Sequence, residues 1–375
     1  MTSLWGTWMR GGTSKCWLFN AVDVDPLLRT NELDSVLSSA FGSGDPLQLD
    51  GVGGGTSTTS KAAIVRRSRL EGIDVDYLFA QVAIGSRTVE WGSNCGNCAT
   101  AIGLYALQTG LVAVDSDVTV VRMRNQNTGA QLAATIKTPG GIIPADGDAA
   151  VPGTNALGVP VALTFTEVAR TRDAMLPTGS AVETLEAGGH RYRATLVEAG
   201  APAAFFAAED FGLTGSENND DLADRLPVLI ELRHQAALVM GLTKPGDPVQ
   251  HAVPKVGIVG TPRGYTTTDG TFVAGEDYDV AVRMVSMLAP HPTIGLTSAV
   301  AVVAAATVPD SVVACRVRPR SVPALRVGTA AGVITTSVSM SADGLPADVA
   351  LHRAARRIAR AELFLAARAP MYAAS

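Results

Sequence analysis

The sequence predicts an α+β chain of two similar halves, each a set of strands wrapped around one apolar helix. Two observations carry this. In the first half, FAQVAIGSRTVEW alternates as a strand does, and a small-residue helix follows from Cys95. In the second half, YDVAVRMVSM alternates from Tyr278, and HPTIGLTSAVAVVAAAT supplies another small-residue helix after His291. A third observation sets the spacing. The turn Gly in GTWMRGGTSK (Gly12) and that in YRATLVEAGAP (Gly200) lie nearly as far apart as the two helix starts, as in a duplicated unit.

Each element follows from local patterning. GTWMRGGTSKCWLFN reads as a strand, a tight turn and another apolar run, closed by the acidic turn of Asp23 and Asp25. The stretch 115–165 reads as β-rich, with turns at Asn127-Thr128-Gly129, Pro139-Gly140-Gly141 and Asp146-Gly147-Asp148. The halves divide near Pro177-Thr178-Gly179-Ser180. A helix is predicted over 221–241, with Pro227 in its first turn or breaking it. Another is predicted over 348–367, capped by Asp348, with Arg353, Arg356, Arg357 and Arg360 on a solvated face.

Composition narrows the function. With 375 residues, 47% hydrophobic and 17% charged, the chain can bury full cores. A formal net charge of −5 gives no basic footprint for nucleic acid. Cys16, Cys95, Cys98 and Cys315 are not a disulfide framework. Cys95 and Cys98 lack the second CxxC or His pair of a zinc site, and the five histidines are scattered. The first residues lack the apolar core of a signal peptide, and the longest apolar run is too short to span a bilayer, so a soluble cytoplasmic protein is the expectation.

Four loops hold the chemistry. In SNCGNCATAIG, Asn94, Gly96 and Asn97 surround Cys95 at a helix start, where free N–H groups favour a thiolate and can hold a carboxylate. A buried cysteine at a helix start is the plain alternative. GGGTSTTSKAAIV lacks the Ser or Thr that a phosphate loop needs after its lysine. It places Ser60 and Lys61 at the mouth of an apolar strand, where desolvation would make Lys61 a usable base; snorkelling to the surface is the alternative. In MRGGTSK, Gly12 permits close approach, while Arg10, Thr13 and Ser14 could hold a carboxylate, unless this is an ordinary hairpin turn. In SMLAPHPTIG, Ser286, Met287 and His291 precede the second helix in the place Cys95 takes before the first, although such a His is often a cap or packed ring. Lys255 is a weaker anion anchor. Two such helix starts facing each other would bind a small di- or trianion.

Taken together, MRGGTSK, GGGTSTTSK, NCGN, the NTG turn, TLVEAG with Pro202 and AEDFGLTG, and VRMVSM with His291 resemble the methylaconitate cis–trans isomerase family. That family includes methylitaconate isomerases and oxalomesaconate tautomerases. The resemblance runs in order along nearly the whole chain. It implies a fold similar to diaminopimelate epimerase: two alike domains (1–180 and 181–375), each a barrel-like sheet around a central helix, with the site in the cleft between them. It implies an isomerase moving a proton across an allylic system of an aconitate-like acid, with no metal or organic cofactor. Lys61 and Cys95 match the family's catalytic pair. Gly12, Thr13, Ser14, Ser286, Met287 and His291 match substrate-binding motifs, and Ser60, Asn94, Gly96 and Asn97 flank the pair. A small polycarboxylate is the partner, no nucleic acid or membrane is expected, and a homodimer is compatible with this reading. Three features depart from the pattern: Cys16 where Gly is usual, Ala201 where Asn is usual, and the HPTIGLTSA segment together with Cys98. Two other readings stay open. An epimerase of this fold needs one thiol from each half, and the second position shows His291. A non-catalytic binder of small acids has no need of both Lys61 and Cys95.

Overall fold

Alternation and small-residue helices produce the same strand succession twice. The computed structural model describes residues 3–29, 32–92, 94–169, 171–247, 251, 253–318 and 324–365. Its contacts divide into unit 1 (Met1–Val151, Ala156–Leu163, Arg353–Ser375) and unit 2 (Pro152–Asn155, Thr164–His352). The sequence halves meet at 180; the contact division falls earlier, and residues from Arg353 onward return to unit 1.

Unit 1 contains β1 (Ser3–Gly11), β2 (Ser14–Asn20), α1 (Ala21–Arg29), α2 (Leu33–Phe41), β3 (Lys61–Arg67), β4 (Val75–Val82), β5 (Val89–Glu90), α3 (Gly96–Gln108), β6 (Asp117–Asn125), β7 (Gln131–Thr138) and most of β8 (Val159–Phe165). β1–β2 pair antiparallel, β2–β3 parallel, β3–β4 antiparallel, β4–β6 parallel and β6–β7 antiparallel. All residues of α3 from Gly96 to Leu107 are buried. A helix apolar on every side must be surrounded, and α3 packs on β1, β2, β3, β6 and β7. Its small residues allow that closeness: a Cβ on Gly103 would fall 2.4 Å from the Ala134 Cβ. On the outer face of the sheet, Phe19, Ile64, Leu37 and Phe41 join one apolar cluster, each contributing about 1.5–3 kcal/mol by burial.

Unit 2 contains α4 (Arg172–Met175), β9 (Glu183–Ala187), β10 (His190–Ala199), β11 (Ala201–Ala207), α5 (Asn219–Ala223), α6 (Leu226–Val239), β12 (Lys255–Gly260), the hairpin β13–β14 (Tyr265–Thr266, Phe272–Val273), β15 (Val280–Ser286), β16 (Ala289–Pro290), α7 (Leu296–Ala306), β17 (Ala324–Thr329), β18 (Gly332–Met340) and the start of β19 (Pro346–Phe364). β10–β11 pair antiparallel, β11–β12 parallel, β12–β15 antiparallel, β15–β17 parallel and β17–β18 antiparallel. The order matches unit 1 pairing for pairing, and α7, buried from Leu296 to Ala305, takes the place of α3.

Three sequence expectations change. The predicted helix over 348–367 is strand β19, antiparallel to β18 at one end and to β1 at the other. Its Ala- and Arg-rich composition favours helix, but cross-strand pairing on both partners overrides propensity. Its arginines therefore do not share one solvated face, and Arg353 is buried. The helix predicted over 221–241 is two helices, with Asn218 capping α5 and Pro227 in the first turn of α6, where its missing N–H costs nothing. Among the described residues no helix is long and apolar enough to cross a membrane.

Candidate active site

Lys61 begins β3 directly opposite Gln81 of β4. Its Nζ donates to Gln81 Oε1 at 2.5 Å and lies 5.3 Å from the Phe79 ring centroid. The side chain is 9% exposed. Gln81 is itself fixed, donating through Nε2 to the Ser60 carbonyl at 2.9 Å. The amine is thus held by a neutral amide. Ser60 is fully buried, and its hydroxyl accepts from Gln48 Nε2 at 2.8 Å, so it stiffens the loop before Lys61. Gln48 Oε1 also accepts from the Gly55 N–H at 2.9 Å.

The start of α3 lies within electrostatic reach of this amine. Cys95 is the N-cap, in extended conformation. A hydrogen bond that the Cys95 thiol donates to the Cys98 sulfur, then burial, push the Cys95 thiol well above the ordinary range; the Lys61 cation pulls it down. Burial, then contact with Cys16, likewise raise the Cys98 thiol. This corrects the sequence expectation: the helix start does not leave Cys95 a ready thiolate, because the Cys98 sulfur and burial favour the neutral form. Cys16 and Cys98, two of the departures from the family pattern, turn out to be neighbours.

Neither flanking asparagine caps α3. Asn94 Oδ1 accepts from Tyr77 Oη at 2.7 Å and Asn125 Nδ2 at 3.2 Å, leaving Asn94 Nδ2 buried with no partner among the described residues. Asn125 Oδ1 in turn accepts from the Thr128 N–H at 2.8 Å, which ties the NTG turn to the same network. Asn97 Nδ2 donates to Thr13 Oγ1 at 3.1 Å. Gly12, at φ 50°, fits where no side chain could: a Cβ there would fall 2.1 Å from Asn97 Oδ1. The Lys15 N–H donates to the Thr58 carbonyl at 2.9 Å. The MRGGTSK turn, the loop before Lys61 and the start of α3 are therefore joined within unit 1, with Gly12, Thr13, Ser14, Ser60, Lys61, Asn94, Cys95, Gly96 and Asn97 on the joined segments.

Arg10 departs from its expected role. Nη1 donates to the Gly12 carbonyl at 3.0 Å, and Nη2 to those of Ala156 and Leu157 at 2.9 and 3.2 Å. The guanidinium is committed to backbone and holds the turn in place.

In unit 2, Ser286 ends β15 opposite Ala289, and Met287, at φ 55°, opens the turn to β16. Arg233, on α6 and 1% exposed, donates through Nη1 to the Met287 carbonyl at 2.6 Å. The His291 Nδ1 accepts from the Thr293 N–H at 3.0 Å. The N-cap of α7 is Gly295, the fifth residue after β16 as Cys95 is the fifth after β5, so Ser286 and His291 lie earlier than the place Cys95 takes. Lys255 does have a counterpart: it opens β12 as Lys61 opens β3.

A family described as PrpF protein matches residues 1–366. The chain belongs to the PrpF protein family. It is 36% identical over 347 residues to a 2-methyl-aconitate isomerase of Shewanella oneidensis, covering 88% of this chain and 87% of the relative. It is 34% identical over 364 residues to a 3-methylitaconate isomerase of Eubacterium barkeri, covering 93% and 94%. It is 37% identical over 305 residues to a (4E)-oxalomesaconate Delta-isomerase of Novosphingobium sp. (strain KA1), covering 81% and 80%. A solved methylitaconate-delta-isomerase superposes with a TM-score of 0.81 at 31% identity, over 96% of this chain and 95% of that one. A probable proline racemase from Agrobacterium radiobacter K84 shares the fold at a TM-score of 0.56 and 14% identity, over 98% and 95%. This PrpF protein thus has the epimerase-like α+β fold the motifs implied.

Gln81, Gln48, Tyr77 and Asn125 carry the site's support and were not singled out from the sequence. Gln81 left one signal, a lone amide in the apolar strand FAQV. Its meaning depends on register with Lys61, which no local pattern reveals.

Proposed function

We propose that this PrpF protein isomerises an unsaturated di- or tricarboxylic acid by moving a proton across its allylic system, with Lys61 and Cys95 as the proton carriers. The observation that carries this reading is the pairing of a buried, amide-held amine with a neutral thiol at a helix start, close enough for the amine's charge to act on the sulfur. The names of the relatives support the substrate class: methylaconitate, methylitaconate and oxalomesaconate all place a C–H beside a C=C conjugated to a carboxylate.

Such a C–H is weakly acidic, and its removal needs a positioned base plus stabilisation of the spreading enolate charge. Cys95, held protonated by Cys98 and burial, is suited to deliver a proton. Lys61 in its amine form takes one from the other end of the allylic unit. The charge that develops is met by N–H groups at the start of α3, beside the Gly12–Ser14 turn. Delocalisation weakens the former double bond, so rotation about it and relocation of it can share one intermediate. Ser286, Met287, His291 and Lys255 are proposed to contact the acid from unit 2. The protein is proposed to act in the cytoplasm.

The test is proton NMR in D₂O with cis- and trans-aconitate, 2-methylaconitate, 3-methylitaconate and oxalomesaconate. Deuterium entering an allylic position of at least one acid, with a shifted or inverted double bond, is the expected result. No exchange in any of them overturns the proposal. Epimerase chemistry is disfavoured by Gly295, which puts no thiol at the α7 start.

A further inference from the structure

We propose that Arg353 binds a carboxylate of the substrate at the Gly12 turn, an assignment that rests on the isomerase reading and extends it. Register fixes where this residue lies. Gly11 of β1 pairs with Ala355 of β19, and the Gly12 N–H donates to the Ala354 carbonyl at 2.9 Å. Arg353 comes next, level with Thr13. Side chains alternate along a strand and directly paired residues share a face, so Arg353 emerges on the face of Ala355 and Gly11. That face looks onto α3: a Cβ on Gly11 would fall 2.0 Å from the Asn97 carbonyl oxygen and 3.0 Å from the Ala101 Cβ. Arg353 therefore leaves the sheet on the helix side, one step past the turn, at the end of α3 where Cys95 and Asn97 lie.

Among the described residues its guanidinium has no partner. Arg353 is 7% exposed, and its Nε is buried with no partner among the described residues. Burial lowers its pKa to about 10, with no carboxylate opposing that shift. Arg10 and Arg233 share an unpartnered Nε, but unlike Arg353 the other buried arginines each donate through another guanidinium nitrogen. Arg10 and Arg283 each donate to three backbone carbonyls, Arg316 pairs with Glu209, and Arg233 holds Met287. Buried charges are costly and nearly always paired. A buried guanidinium without a counter-ion, beside a helix start and a glycine turn, is completed by an anion from solution. Its planar fork matches a carboxylate in two-point contact.

The test separates binding from folding and from chemistry. Calorimetric titration with propane-1,2,3-tricarboxylate, a saturated acid that cannot turn over, is run on the wild-type protein, Arg353→Met and Arg353→Lys. Loss of a charge-assisted contact should raise Kd about 10- to 100-fold in Arg353→Met. Because Met keeps the apolar stem and removes an unpaired charge, Tm should hold or rise. Arg353→Lys should recover part of the affinity. On a turned-over acid, KM should rise by a similar factor while kcat stays within about threefold. An unchanged Kd in Arg353→Met, or a lowered Tm in parallel with weaker binding, overturns the assignment. Wild-type protein that binds the tricarboxylate through Arg353 but isomerises none of the unsaturated acids overturns the isomerase reading and leaves the anion site standing. Turnover with Arg353→Met unaffected overturns the anion site alone.

Discussion

The starts of α3 and α7 occupy equivalent places in two sheets of the same pairing order, yet their N-caps differ. At α3 the N-cap is Cys95, and the strand opened by Lys61 brings an amine fixed by Gln81. At α7 the N-cap is Gly295; Lys255 opens the matching strand, and the preceding turn is held by buried Arg233. The two units thus share a frame, and the two proposed proton carriers both lie in unit 1.

The largest expected effect tests that asymmetry directly. Lys61→Ala or Cys95→Ala should lower solvent-deuterium exchange by about a thousandfold or more, whereas Lys255→Ala should cost at most about tenfold, seen mainly in KM. Equal loss in rate from Lys255→Ala would make the two units chemically alike. Next comes Gln81→Leu, which removes the acceptor that positions Lys61; kcat should fall about 10- to 100-fold with KM little changed. A stability effect follows. Gly12→Ala meets Asn97 Oδ1 and an unfavourable φ, so chemical denaturation should show a loss of about 1–3 kcal/mol, partly relieved in the double variant with Asn97→Ala. The smallest concerns pH. If Cys95 delivers its proton as a neutral thiol, as proposed, activity should fall as pH rises through its raised pKa. Cys98→Ala removes the main cause of that rise and should move the alkaline limb to lower pH, in step with thiolate absorbance. A limb that stays put would detach it from Cys95.

Legibility tracked the range of the interactions involved. The helix at Cys95, the strand at Lys61 and the turn at Gly12 are local features, set by small-residue runs, an apolar strand and φ-tolerant glycines. All were readable before any coordinates. The last strand was not: LHRAARRIARAELF has helical composition, and only pairing with β1 and β18 makes it extended. That error also hid Arg353, which looked like one of four solvated arginines. His291 does not fall at the place of Cys95 because the N-cap of α7 is Gly295, a helix boundary that the small-residue run by itself does not mark.

The chain's own letters sufficed for the duplicated α+β frame, the apolar central helices and the loops holding Lys61 and Cys95, because periodicity and turn chemistry act over a few residues. Tertiary structure alone decided that Cys95 is a protonated thiol beside Cys98, that Gln81 holds the lysine, that Arg10 serves the backbone and that Arg353 has no partner among the described residues. Each of those depends on which groups from distant segments share a buried space, where the absence or presence of one counter-charge or hydrogen bond sets protonation and availability.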